Sequence, residues 1–286
     1  MIVSALLFLS LLLPPLPDPA LVQAQASLEA GHFDEAATEY KRFIFFHRDS
    51  TDARIGDSYY QLGLSLRNCG RFQESLEAFQ KSLEWEGGRW NPEDKRISVA
   101  ASLTALGRYS EAEFSLLRLE DSAASADVRK RASLLRAINA LYGRRWEEAR
   151  EALQSFVDVP PLPGEDGTIH EAAQRFLAGK KSIHTKSRKL AKTLSTVLPG
   201  SGQFYAHDWK GGANALALNG IFGYLFFRDI ATQHYVLAAV SSVFVFKRFY
   251  IGNRRNAARA ADAYNDTVNK ILALALLDAI EKQHEN

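Results

Sequence analysis

The chain has 286 residues, of which 24% are charged and 47% hydrophobic, so it is long enough for two domains and any membrane part is a minority of it. Its formal net charge of +2 argues against nucleic acid binding by bulk charge. The single cysteine, Cys69, excludes an intramolecular disulfide and a cysteine-cluster metal site.

The N-terminal stretch, residues 1–13, is almost wholly apolar and is followed by two prolines. It is too short to span a bilayer but fits the apolar region of a secretory signal, although no Lys or Arg precedes it. Small residues at Ala24 and Ala26 offer cleavage sites. We expect residues 1–26 to be a signal peptide, and an uncleaved anchor or a misassigned start codon are the alternatives.

Residues 27–158 carry a repeated pattern, in which an aromatic residue follows a short turn and a small residue comes three positions later. The small residues are Ala36, Ser75, Ala112 and Ala149, with spacings of 39, 37 and 37 residues. A period in this range is typical of a helical solenoid, in which each repeat contributes a pair of helices.

The second copy of the pattern is the clearest. Its apolar and small residues lie at helical spacing before the turn (Tyr59, Leu62, Gly63, Leu66) and after it (Phe72, Ser75, Phe79, Ser82). Gly70 fits the end of the first helix, where a positive φ is needed, and Gly63 and Ser75 let two backbones approach. This copy resembles the tetratricopeptide repeat (TPR), and the resemblance implies a pair of antiparallel helices.

The repeats depart from the TPR pattern in two ways. Their period exceeds the usual length of about 34 residues, so connections such as residues 85–92 are long. The first helix of the first repeat is expected at residues 20–30, so that cleavage after Ala24 or Ala26 would shorten it. A half repeat acting as a cap, an earlier cleavage and a retained segment all remain open.

A partner protein or peptide is expected on the concave face of the repeats, because solenoids present such surfaces by their geometry. The candidate partner-binding residues lie on the first helix of the second repeat and are Ser58, Gln61, Ser65 and Arg67.

After a proline-rich linker with a short helix at residues 159–179, the chain becomes basic and then apolar. Residues 211–227 and 230–246 are two apolar segments of 17 residues each, separated by Arg228 and Asp229. A helix of that length covers roughly 25 Å, the short end of a membrane span. We predict a two-span hairpin, with a buried helix pair in a soluble domain as the alternative.

The Pro-Gly-Ser-Gly-Gln motif at residues 199–203 precedes the first apolar segment. It lacks the flanking glycine of a nucleophile elbow around Ser201 and the lysine of a phosphate loop. The residues predicted to mark where the chain enters the bilayer, after an amphipathic segment at 190–198, are Pro199, Gly200, Gly202, Tyr205 and Trp209.

The same stretch resembles the two-helix membrane domains of uncharacterised bacterial envelope proteins and, loosely, the TM2 domain. The residues after the second apolar segment that fit this pattern are Tyr250, Asn253, Asn256, Ala257 and Ala258. The resemblance covers roughly 70 residues and implies membrane residence without a known reaction.

The predicted location is the bacterial inner membrane, but the side on which the repeats lie is contested. Basic flanks at 180–192 and 247–259 lie on the same side as the repeats, and the positive-inside tendency places such flanks in the cytoplasm. Export of the N-terminal stretch places them outside. We favour extracytoplasmic, periplasmic repeats.

The predicted fold class is therefore all-α: a TPR-like solenoid (27–158), a linker and short helix (159–179), a basic flank with a transmembrane hairpin (180–250) and an amphipathic helical tail (251–286). The predicted function is a membrane-anchored, non-catalytic scaffold for a partner protein or peptide at the cell envelope, with bilayer contact through residues 190–250. The alternative is an accessory subunit of a membrane transport or lipid-handling assembly, in which the hairpin is the functional part. We predict no catalytic residue, metal, cofactor or nucleic acid.

Overall fold

A computed structural model describes residues 18–48, 52–123, 125–161, 167–182, 185–240 and 247–285. The apolar stretch at residues 1–13 lies outside this part of the chain. Every regular element that the structure describes is a helix. The chain forms two compact units, Met1–Glu165 and Asp166–Asn286, called here the repeat unit and the C-terminal unit.

The repeat unit consists of four consecutive helix pairs, as the repeated pattern predicts. Their bounds are α1 (Pro19–Glu29) and α2 (Phe33–His47), α3 (Arg54–Asn68) and α4 (Phe72–Ser82), α5 (Pro92–Ala105) and α6 (Tyr109–Ser122), and α7 (Ala126–Tyr142) and α8 (Trp146–Asp158).

The first helix begins earlier than the boundary at residue 27 that the sequence suggested. Asp18 caps α1 by accepting a hydrogen bond from the backbone N–H of Ala20, at 2.8 Å, and Pro19 occupies the first turn. Ala24 is fully buried against α2 and α3. Both candidate cleavage sites therefore lie within a packed helix, and cleavage at either would remove most of it.

The helices of each pair approach closely at small residues. The Ser75 hydroxyl donates a 2.8 Å hydrogen bond to the backbone carbonyl of Gly63, across α3 and α4. A Cβ added at Gly63 would lie 2.7 Å from the ring of Phe79, which is fully buried. The expectation that Gly63 and Ser75 let the two backbones approach is thus met in the geometry.

The turns within the pairs use a left-handed residue. Gly31, Gly70 and Gly107 have φ values of +77°, +74° and +73°. In the fourth pair, where the sequence has one residue more, Gly143 is right-handed and Arg144 takes the positive φ, of 56°. The extra residue therefore moves the left-handed position by one place and leaves the helix pair intact.

The C-terminal unit contains α9 (Thr168–Ser182), α10 (Arg188–Val197), α11 (Ser201–Tyr205), α12 (Trp209–Ala231), α13 (Tyr235–Val240) and α14 (Lys247–Glu285). The predicted amphipathic segment at 190–198 is α10. The predicted helical tail, residues 251–286, corresponds to most of α14, which begins earlier, at Lys247. Leu272 of this helix packs on α9, where a Cβ added at Gly179 would lie 2.7 Å from its side chain, whereas Leu274 is exposed.

The described residues do not support the predicted membrane hairpin. Within the part of the chain that the structure describes, no helix is long and apolar enough to cross a membrane. The first predicted span lies in α12, where Asn214, Asn219 and Arg228 reduce the apolar character of the helix. The second span begins in α13, and its last residues, 241–246, lie outside the described residues.

We predict that Gly63→Ala destabilises the repeat unit by about 1–3 kcal/mol, because the new methyl group overlaps a fully buried ring. This loss outweighs the gain in helix propensity of about 1 kcal/mol. Urea unfolding followed by circular dichroism measures it. Phe79→Leu in the same chain should restore part of the lost stability, and an unchanged midpoint for Gly63→Ala alone would disprove the steric argument.

Candidate functional site

A groove of about 570 Å³ opens between the first helices of the first two repeats, and we call it the α1–α3 groove. It is lined by Leu21, Val22, Gln25, Ala26 and Glu29 of α1, Tyr40 of α2, Arg54, Asp57, Ser58 and Gln61 of α3, and Arg89 and Trp90 of the following connection. Its volume is within the range of small-ligand and peptide-side-chain sites.

The long connection between α4 and α5 forms one wall of this groove because side chains hold it in place. The Asp57 carboxylate accepts hydrogen bonds from the backbone N–H of Arg89 at 2.9 and 3.0 Å. Lys95, which is buried, donates to the carbonyls of Ser82 and Trp85 at 2.8 and 3.1 Å. The Trp90 ring lies 4.5 Å from the ring of Tyr60, centroid to centroid.

Two polar atoms at the wall of the α1–α3 groove have no hydrogen-bond partner among the described residues. They are Gln61 Oε1, an acceptor, and Trp90 Nε1, a donor, and both atoms are buried. A buried polar atom without a partner costs about 1–3 kcal/mol. Because both atoms are enclosed by protein, a ligand in the groove recovers that cost only when the Gln61 amide or the Trp90 ring turns toward it.

The groove carries charged side chains of both signs, and some of them already form contacts within the protein. Arg54 pairs with Asp52 at 2.6 Å, and this hydrogen bond lowers the pKa of the Asp52 carboxyl. The Arg89 guanidinium lies 5.4 Å from the Trp90 ring. Burial, with a smaller contribution from the charge of Glu29, raises the pKa of Tyr40 to about 12. Tyr40 therefore remains a neutral hydroxyl at any physiological pH.

The predicted partner-binding residues lie in different places. Gln61 and Ser58 line the groove, although the Ser58 hydroxyl is occupied by the Arg54 carbonyl at 2.8 Å. The predicted partner-binding role of Ser65 is corrected by the structure. Ser65 is fully buried and donates a hydrogen bond to the Gln61 carbonyl at 2.9 Å, so a ligand cannot reach it. Arg67 lies over the Phe79 ring at 6.0 Å, away from the groove. The groove residues of α1 and those of the connection between α4 and α5 were not identified from the sequence.

In the C-terminal unit, the Pro-Gly-Ser-Gly-Gln motif packs three helices together through what we call the Gln203 network. Ser195 of α10 donates to Gln203 Oε1 at 2.9 Å, and Gln203 Nε2 donates to Asn253 Oδ1 at 2.7 Å. Asn253 returns a 3.2 Å hydrogen bond to the Ser195 carbonyl. All three residues are buried, so the network satisfies polar groups that would otherwise be costly.

The two glycines of the motif are required by close backbone contacts. Gly200 has a φ of +94°, and a Cβ there would lie 2.4 Å from the Gly212 carbonyl oxygen. A Cβ at Gly202 would lie 2.0 Å from the Ala191 carbonyl oxygen. The motif was interpreted as a helix break before a bilayer; the contacts show a tight packing element between α10, α11 and α12.

The other residues predicted at the bilayer surface surround this element. Pro199 lies in the turn between α10 and α11. The Tyr205 hydroxyl accepts a 3.0 Å hydrogen bond from the backbone N–H of Ser187, and its ring faces the Lys186 ammonium at 4.8 Å. Trp209 is 65% exposed and touches Phe204. A role of these residues at a bilayer stays a prediction.

Comparison with known proteins identifies one of the repeats. Residues 56–88, which span α3, α4 and the connection that follows, match the tetratricopeptide repeat family model. No curated protein and no solved structure matches the chain. The match establishes a TPR within the repeat unit, and TPRs are a class of protein–protein interaction scaffold. Nothing in the comparisons supports the resemblance of the C-terminal unit to envelope membrane domains.

We predict that Gly202→Ala destabilises the C-terminal unit by more than about 2 kcal/mol, because the added methyl group collides with backbone and cannot be accommodated by a side-chain movement. Gly220→Ala is the matched control: Gly220 is also helical, but an added Cβ there meets nothing within 4 Å. Hydrogen exchange of α10 and α14 measures the effect. Equal protection in the two variants would contradict the packing role.

Proposed function

We propose that this protein is a non-catalytic scaffold that binds an extended segment of a partner protein in the α1–α3 groove. The observation that supports it most directly is a groove between α1 and the matched repeat, whose wall contains two enclosed atoms without a partner, Gln61 Oε1 and Trp90 Nε1. An extended peptide carries an N–H donor and a C=O acceptor on every residue except proline, which matches this pair.

The apolar part of the groove suits the side chains of such a segment. Leu21 and Val22 face it from α1, and Val22 is 52% exposed. The rim carries charged side chains of both signs, namely Arg54, Arg89, Asp57 and Glu29. Such a mixture orients a bound ligand rather than attracting ligands by net charge.

We test this with a photo-crosslinking amino acid placed at Val22 in the full chain, expressed in its native host. A discrete crosslinked partner is expected, and its yield should fall several-fold in Gln61→Leu, which keeps the side-chain size, and in Trp90→Phe, which keeps an aromatic ring, because each replacement removes a hydrogen-bonding group from the wall. The same probe at Gln154, an exposed residue of α8, serves as the control site.

Two results would count against the groove. One is a partner captured equally from Val22 and from Gln154. The other is a crosslink at Val22 whose yield is the same in the wild type, Trp90→Phe and Gln61→Leu.

We also propose that the C-terminal unit attaches the scaffold to a membrane surface, at the bacterial inner membrane with the repeats on the periplasmic side. Large apolar side chains are exposed on α12 and α13, including Tyr224, Phe227 and Val236 at 68%, 70% and 78%. Exposed basic residues, among them Lys189 and Arg254, accompany them. Apolar and basic surfaces together favour binding to anionic lipid.

The same surface supports the alternative function, an accessory subunit of a transport or lipid-handling assembly.

Flotation of the full-length protein with vesicles tests this attachment. Binding is expected with vesicles that contain phosphatidylglycerol, less with phosphatidylcholine alone, and binding should fall when Tyr224 and Phe227 are both replaced by Glu. Phe45→Glu, at an equally exposed aromatic residue of α2, is the control and should bind as wild type does. Absence of flotation with either lipid would reject the proposal.

A further inference from the structure

A second groove lies within the third repeat, on surfaces that the α1–α3 groove does not use, and we call it the α5–α6 groove. It has a volume of about 370 Å³ and is lined by apolar residues that include Leu83, Val99 and Leu119. Arg96 of α5 and Arg118 of α6 also line it, as does Phe114, whose side chain is 70% exposed.

The second repeat provides an internal comparison, because it has a groove of about 390 Å³ in the equivalent place. The repeats are offset by 37 residues, so Tyr59, Glu77 and Lys81 of the second repeat correspond to Arg96, Phe114 and Arg118 of the third. The same fold thus presents different groove surfaces in these two repeats, and the differences include the replacement of Tyr59, Glu77 and Lys81 by Arg96, Phe114 and Arg118.

Both lysines of the second-repeat groove form ion pairs within the protein. Lys81 pairs with Glu84 at 2.9 Å, and Lys41 pairs with Glu74 at 3.3 Å. In the third repeat, neither Arg96 nor Arg118 forms an ion pair with any residue that the structure describes. The third repeat therefore carries two free guanidinium groups beside an apolar floor.

We infer that the α5–α6 groove binds a peptide segment that carries an acidic side chain next to apolar ones. A guanidinium group offers planar, paired donors that fit a carboxylate, and two of them line this groove. The exposed Phe114 ring provides a large apolar contact, and aromatic side chains with arginine are the typical centre of a protein-binding surface. Phosphates of a nucleic acid would satisfy the arginines but leave the apolar floor uncovered.

The test selects short random peptides on the immobilised full-length protein and measures the affinity of the enriched peptides by fluorescence anisotropy. Enriched sequences should combine Asp or Glu with Leu, Ile or Phe. Replacing Arg96 and Arg118 together by Gln should weaken binding about ten-fold or more, since two charge-assisted contacts are lost. Added salt should weaken it as well.

Lys81→Gln is the matched control, because Lys81 occupies in the second repeat the position that Arg118 occupies in the third. Its affinity should equal that of the wild type. Both arginines are exposed, so the variants should keep the helical circular dichroism of the parent. The inference is overturned if no peptide is enriched, if the enriched peptides lack acidic residues, if binding survives the double Gln replacement, or if a single-stranded RNA competes for the groove.

Discussion

Close approach of helix backbones at small residues is the constraint on which both units depend. In the repeat unit, Gly63 admits the Phe79 ring and Ser75 reaches across to a carbonyl. In the C-terminal unit, Gly202 brings α11 against the backbone of α10, close enough for the Gln203 network to form. Because interiors are densely packed, one added methyl group at such a place forces the neighbouring side chain or backbone to shift. The candidate grooves of the repeat unit lie on helices that such contacts position.

The helices of the repeat unit could be predicted because a repeated pattern supplies several copies of the same local evidence. The α1–α3 groove could not be predicted in the same way, because its walls come from two repeats and from the connection at Arg89 and Trp90. Ser65 shows a related difficulty. A first helix of a solenoid packs on its own partner and on the neighbouring repeat, so most of its circumference is buried and periodicity does not separate a free face from a packed one.

In the C-terminal unit, composition was more misleading than periodicity. The amphipathic α10 was predicted nearly to its bounds, whereas the apolar stretch at 211–227 was interpreted as a membrane span. The contacts that define this unit join residues far apart in the chain: Gln203 meets Asn253, and Lys186 donates its backbone N–H to Asn265 at 2.8 Å. A single sequence carries no record of such pairs, so Gly200 and Gly202 were explained by a local helix break.

The connection between α4 and α5 is anchored at its two ends, by Asp57 on the Arg89 backbone and by Lys95 on the carbonyls of Ser82 and Trp85. Neither anchor takes part in the contact between Gly63, Ser75 and Phe79 that holds the helix pair together. The segment between the anchors is itself constrained, because Gly87 and Gly88 have φ values of +80° and +87° and a Cβ added at Gly88 would lie 2.6 Å from Oδ1 of the anchoring Asp57. A change of groove wall that keeps these two glycines therefore keeps the Asp57 anchor, and it leaves the packing within the helix pair untouched.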